Sequence, residues 1–177
     1  QLENEIVDVL DLASYMMQTF GFTDYKVMLS TRPEKAVGSD EEWEQATEFL
    51  RQALVRQQID FEIDPGEGVF YGPKIDIKFQ DAQGRGWQGP TIQVDFNLPK
   101  RFEVNYIGED GKEHQVVMVH RTGLGSMERF FATVVEHYGG AFPVWLAPVQ
   151  VALIPVADGH LDYAGKVAGT LREAGIR

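Results

Sequence analysis

Lys74-Ile-Asp-Ile-Lys-Phe-Gln80 and Trp87-Gln-Gly-Pro-Thr-Ile-Gln-Val-Asp-Phe96 are two runs of period two, joined by the turn-forming Gln80-Asp-Ala-Gln-Gly84. Ile75, Ile77 and Phe79 alternate with Asp76 and Lys78, and Ile92, Val94 and Phe96 alternate with Thr91, Gln93 and Asp95. Such alternation reads as half-buried strands. A short connection makes the pair antiparallel, because a parallel pair needs a long crossover. Gly89-Pro90 inside the second run predicts a bulge or a close backbone approach. The polar side of this pair is either a solvated face or a ligand floor, for which the neutral amide of Gln93 would serve.

Downstream, Phe102–Ile107 reads as a third strand, and Glu109-Asp-Gly-Lys112 as a hairpin turn into Gln115–His120. A glycine-bracketed turn follows, then Met127, Phe130, Phe131, Val134 and Tyr138 on one helical face, ended by Gly139-Gly140. Arg129 falls in the first turn of that helix, beside free backbone N–H groups and the positive end of the macrodipole. That arrangement suits a polyanion such as a nucleotide phosphate. The bland alternative is a surface arginine paired with Glu128 or Glu136. Tyr71 and Lys74 flank Gly72-Pro73, either as a solvated turn or as side chains fixed over the sheet. His120, at a strand end, reads as a hydrogen-bonded core histidine. A catalytic zinc needs three protein ligands, and His114, His137 and His160 are not evident companions.

Upstream, Ile6, Val9, Leu10, Ala13, Met17 and Phe20 mark an amphipathic helix, closed by Gly21 in a left-handed cap. Tyr25–Leu29 is a short strand and Ser30–Lys35 a polar loop. Ser39 and Glu42 form a capping box before a helix with apolar Trp43, Ala46, Leu50 and Leu54. The predicted class is α+β, an antiparallel β-sheet flanked by helices. After Pro143–Pro148, an apolar strand over Val149–Ile154, a helix carrying Leu161, Ala164, Val167, Ala168 and Leu171, and a strand beginning at Gly175–Arg177 describe the first βα unit of an α/β domain. We therefore expect two domains, 1–146 and 147–177, and a chain that is a piece of a longer protein.

The absence of cysteine excludes disulfides and cysteine-ligated metals within the 177 residues. No run is apolar enough for a membrane span and none resembles a signal peptide, so the expected location is cytoplasmic. The net charge of −11 argues against nucleic acid, but residues 1–67 hold 5 basic and 15 acidic side chains and so carry almost all of it. It leaves the later part free to meet RNA. There is no P-loop, GxGxxG, nucleophile elbow or EF-hand-like loop. Pattern and physics reach a polyanion- or nucleotide-binding α+β domain followed by the start of an α/β domain.

The residues themselves carry a resemblance. Ser30-Thr-Arg-Pro-Glu-Lys35 with Gly38-Ser-Asp40, Phe70-Tyr-Gly-Pro-Lys-Ile-Asp76, Trp87-Gln88, Thr91-Ile-Gln-Val-Asp-Phe96, His120-Arg121 and Leu124-Gly-Ser-Met-Glu-Arg-Phe130 resemble threonyl-tRNA synthetase, a class II aminoacyl-tRNA synthetase. Pro143-Val-Trp-Leu-Ala-Pro-Val-Gln150 continues the likeness into that family's anticodon-binding domain. The resemblance implies a homodimeric ligase that joins threonine to tRNA(Thr) through a threonyl-adenylate, using ATP with Mg2+. It implies Arg129 as the motif 3 arginine on ATP, with Gly125 and Ser126 in the adjoining turn. Lys74 would steady the reacting carboxylate and phosphate. Gln88, Thr91 and Gln93 would line the floor and Tyr71 would contact threonine. His120 becomes the third ligand of a Zn2+ that holds threonine's amino and hydroxyl groups. The other two ligands, the motif 2 arginine, motif 1 and the serine-editing domain have no counterpart in this sequence, and Gly89-Pro90 stand where many members have Cys-Gly. The alternative is a synthetase-like binding or regulatory protein without catalysis.

Overall fold

The computed structural model describes residues 1–81 and 83–177; Ala82, inside the turn expected over Gln80–Gly84, lies outside the described residues. The chain divides into two compact units, Gln1–Val134 and Val135–Arg177.

The first unit opens with α1 (Leu2–Thr19), which ends in a Schellman motif. Gly21 takes φ 80°, its N–H bonds to Gln18 O at 3.0 Å, and the Phe22 N–H reaches Met17 O at 2.9 Å, so two orphan carbonyls are satisfied. β1 (Tyr25–Ser30) leads to α2 (Asp40–Arg56), whose capping box is formed as expected: Ser39 Oγ accepts from Glu42 N, and Glu42 Oε2 accepts from Ser39 N. The Thr31–Lys35 loop is held against the start of α2. Arg32 pairs with Asp40, donates to Gly38 O and lies over the Trp43 ring.

β2 (Glu62–Asp64), β3 (Lys74–Gln80), β4 (Gly86–Asp95) and β7 (Met118–Thr122) complete a five-stranded sheet in the order β2-β1-β3-β4-β7. The neighbours β1, β3, β4 and β7 pair antiparallel, but β2 runs parallel to β1, so the sheet is mixed. The chain returns to β2 through α2, which is the long crossover that parallel pairing requires. One face of the sheet is the core. Val27, Leu29, Ile75, Ile77, Ile92 and Val94 pack there against Ile6 and Leu10 of α1 and Leu50 and Leu54 of α2. Each such side chain stabilises the fold by roughly 1.5–3 kcal/mol.

The expected bulge is present. Asp76 pairs with Thr91 and Lys78 with Gln88, so Gly89 and Pro90 together oppose Ile77. A side chain at Gly89 would meet the Phe79 ring at 2.8 Å, which is the close approach the sequence predicts.

Several expected elements differ, and the strand expected over Gln115–His120 begins only at Met118 within the five-stranded sheet. Asp95 Oδ1 accepts from the N–H groups of Asn97 and Leu98, starting a short helix α3 (Asn97–Arg101) where the alternation of β4 ends. The expected third strand therefore shrinks to β5 (Asn105–Ile107). It pairs only with β6 (Glu113–Gln115), in a separate two-stranded sheet. In α4 (Met127–Tyr138), Phe130 and Val134 are buried as expected, but Met127 and Phe131 are about two-thirds exposed. Among the described residues the ring contacts of this helix within the unit go to Phe130 alone, from Phe20, Phe22 and Phe79.

In the second unit α5 (Leu161–Glu173) forms over the expected residues, after a single 3-10 turn at Asp158–His160. Val149–Ile154 and Gly175–Arg177 form no strands. Their backbones meet only where Gln150 and Val151 donate to Arg177 O, too few bonds for a ladder. Val149 and Ile154 consequently stay exposed.

Candidate active site

The face of the sheet away from the core is polar, and the register decides which of its residues meet. Lys74 of β3 lies opposite Gln93 of β4, which lies opposite His120 of β7, so three expected site residues form one cross-strand row. The next row is Asp76, Thr91 and Thr122. Tyr71 reaches the first row from the turn before β3. Its hydroxyl donates to Gln93 Oε1, and its ring stands edge-on to His120 at 5.7 Å between centroids. Burial and the nearby Asp95 carboxylate push the Tyr71 phenol above its ordinary range, so it remains a neutral hydroxyl. Gly72 makes this turn possible, because a Cβ there would lie 1.8 Å from Val94 O.

Two buried carboxylates, which the sequence reading left without a role, organise these residues. Asp76 is 2% exposed. It binds Lys74 Nζ at 2.6 Å and accepts from Gln88 Nε2 at 2.7 Å and Thr91 Oγ1 at 2.9 Å. The ammonium of Lys74 is thereby fixed on the polar face, and Gln88 and Thr91 are locked to the same carboxylate. Gln88 joins Thr91 on this face because of the bulge; in a regular strand, three residues apart, they would point to opposite sides. Asp95, fully buried, takes His120 Nε2 at 2.8 Å through Oδ2 while its Oδ1 holds the start of α3. A carboxylate only accepts, so the ring nitrogen facing it carries the proton. The signal for both acids was present in the sequence, as charges inside period-two strands, but only the register shows what they face.

Gly125, Ser126 and Arg129 form the other end of the site. Gly125 has φ 75° and lies on the backbone of β4, where a Cβ would be 2.8 Å from Gln88 O. Ser126 Oγ donates to Glu128 Oε2 at 2.8 Å and stands 3.5 Å from Arg129 N. The Glu128 carboxyl is held below its usual range by its own backbone N–H and by that hydroxyl. It therefore serves the helix start and not Arg129. The guanidinium of Arg129 lies over the Trp87 ring, 5.7 Å from its centroid, and among the described residues has no carboxylate partner. The bland reading of a surface ion pair is thus not what the structure shows. Of the expected site residues, Tyr71 alone lines the cavity of about 170 Å3 between Trp43, Phe96 and Lys100.

Among the described residues no group of three His, Asp or Glu side chains is placed to hold a metal, so His120 stands as a single potential ligand. Among the described residues no helix is long and apolar enough to cross a membrane.

Comparison with known proteins is consistent along the chain. Residues 1–138 match the family described as the tRNA synthetase class II core domain (G, H, P, S and T). The chain is 66% identical over all 177 residues to a threonine–tRNA ligase of Dehalococcoides mccartyi, of which it spans 30%, and 53% identical to one of Nitrosococcus oceani, of which it spans 28%. It thus covers under a third of the length of these relatives. Among solved structures, the RNA binding domain of threonyl-tRNA synthetase from Cryptosporidium parvum Iowa II superposes with a TM-score of 0.90 at 37% identity, covering 99% of this chain and 44% of that one. With a class II core matched over most of its length and threonine–tRNA ligases aligned along all of it, the chain belongs to the threonyl-tRNA synthetase family.

Proposed function

We propose that this chain is part of a threonine–tRNA ligase, which activates threonine with ATP and Mg2+ as threonyl-adenylate and then transfers it to tRNA(Thr). The observation that carries this reading is the row of Lys74, Gln93 and His120, completed by Tyr71, on the polar face of the sheet, together with an Arg129 guanidinium that has no carboxylate partner among the described residues. In the first step a threonine carboxylate oxygen attacks the α-phosphorus and pyrophosphate leaves. Such a step depends on alignment and charge stabilisation more than on proton transfer. Lys74, held by Asp76, offers its remaining N–H donors at the sheet, and Arg129 supplies unneutralised positive charge at the helix start. Gln88, Thr91 and Gln93 offer neutral amide and hydroxyl contacts, with Gly125 and Ser126 forming the turn beside them.

His120 fits a zinc ligand. Metal-binding histidines usually donate their second ring N–H to a carboxylate, and Asp95 is that partner here, so Nδ1 would be the nitrogen available to a metal. Zn2+ would coordinate the amino and hydroxyl groups of threonine, a demand that isosteric valine cannot meet. The remaining ligands, the dimer partner and the motif 2 arginine belong, on this reading, to other parts of a longer cytoplasmic protein. Residues 1–146 are its class II catalytic portion and 147–177 the start of its anticodon-binding domain.

The test is threonine-dependent pyrophosphate–ATP exchange in the full-length protein. Arg129→Ala should lower the rate on the order of 100-fold or more, as loss of one transition-state donor does. Unchanged exchange would remove Arg129 from the site, and no exchange in the unaltered protein would leave the non-catalytic alternative standing. Metal analysis of His120→Ala should show lost zinc; stoichiometric zinc there would exclude ligation.

A further inference from the structure

The connection between β3 and β4 is organised by one carboxylate. Asp81 is buried; its Oδ1 accepts from the N–H groups of Gln83 and Arg85, each at 2.9 Å, and its Oδ2 accepts from Trp87 Nε1 at 2.8 Å and from Arg85 Nε. Burial opposes ionisation of Asp81. The Trp87 indole, the Arg85 N–H and guanidinium and the Gln83 N–H outweigh it and hold the carboxyl well below the usual carboxylate range. The Trp87 ring is therefore pinned at both ends, by its backbone pairing with Phe79 and by its indole N–H on a fixed anion.

Two guanidinium groups lie over this ring, that of Arg85, which is neutralised by Asp81, and that of Arg129. A cation in the first turn of a helix is electrostatically disfavoured. An acidic neighbour would hold it in place, but it would also neutralise the charge and occupy the N–H donors. The quadrupole of an indole attracts the guanidinium without doing either. We propose that Trp87 is a positioning residue for Arg129, holding its guanidinium oriented and fully charged for the phosphates of ATP, with Asp81 fixing the angle of the ring. The proposal rests on the reading of Arg129 as an ATP contact.

The experiment measures ATP and threonine dependence of pyrophosphate exchange in the full-length protein for Trp87→Leu, Trp87→Phe, Arg129→Ala and the Trp87→Leu/Arg129→Ala pair. Loss of a cation–π contact predicts an ATP KM raised about 2- to 30-fold in Trp87→Leu. The threonine KM should stay within about twofold, while kcat falls by less than it does in Arg129→Ala, as for a transition-state donor misplaced but not removed. Trp87→Phe should restore most of the loss, and Trp87→Leu should add nothing once Arg129 is gone. A general structural defect would instead add to Arg129→Ala and would not spare threonine. An unchanged ATP KM in Trp87→Leu beside a raised one in Arg129→Ala overturns the proposal alone. Unchanged kcat and ATP KM in Arg129→Ala overturn the reading beneath it as well. Should Trp87→Leu fail to fold, tryptophan emission decides. ATP should change the emission of the unaltered protein and not that of Trp87→Phe, and an undiminished change in Trp87→Phe counts against the proposal.

Discussion

The two ends of the candidate site are built on opposite principles. Around Asp76 and Asp95 the polar side chains are cross-braced: Lys74, Gln88, Thr91 and His120 are each tied to one of two buried carboxylates. Around Arg129 the charge is left unneutralised on an exposed helix start, steadied by an aromatic ring. The difference follows from what each end has to recognise on the proposed reading. A small amino acid is read by shape and by a few fixed polar atoms, so rigidity serves it. A triphosphate is read by charge, which an internal ion pair would cancel.

If so, the braced end should govern stability and the open end should not. Gly72→Ala is the most severe break, since its Cβ would fall 1.8 Å from Val94 O in backbone already bonded to Pro73. A loss of about 4 kcal/mol or more is expected, read as a lowered denaturation midpoint at unchanged m. Asp76→Ala should cost about 3 kcal/mol, because Lys74 is left as a half-buried charge without its partner and Gln88 and Thr91 lose their acceptor. The double variant Lys74→Met/Asp76→Leu should recover much of that. An Asp76→Ala protein as stable as its parent would show that the network braces nothing.

A smaller effect appears in acid. The Asp81 carboxyl is lowered in the folded state, so its contribution is complete above the unfolded carboxylate pKa of about 3.9 and is lost as pH falls through the folded value. Unfolding followed below about pH 4 should therefore be less steep in Asp81→Asn. Smallest of all, Arg129→Ala should change stability by less than about 0.5 kcal/mol, even though it is the substitution expected to cripple exchange. A large stability loss there would erase the contrast between the two ends.

Much of this was readable in advance where local rules act alone. The capping box at Ser39, the cap at Gly21 and the alternation of β3 and β4 are decided within a few residues, and the structure reproduces them. Phe102–Ile107 misled because its apolar spacing suits a strand, while Asp95 had already turned the chain into α3. Val149–Ile154 has the composition of a strand but lacks the ladder that makes one. Within the site, the residue types were legible and their company was not. That Lys74, Gln93 and His120 stand side by side is a property of register, which depends on pairings 19 and 27 residues apart in Gln93–Lys74 and His120–Gln93.

The extra residue at Gly89–Pro90 has a consequence for parity. On the C-terminal side of the bulge, odd-numbered residues of β4 look toward the polar face; on the N-terminal side, even-numbered ones do. The strand therefore sends Trp87 to the side of Phe79 and Gln88 to the side of Lys78, although a regular strand beginning from Thr91 would do the reverse. Removing one residue at the bulge would straighten the strand and preserve both assignments. Removing one elsewhere in β4 would invert the sidedness of everything beyond it. The strand thus has one place where its length can change without exchanging what faces the polar side for what faces the core.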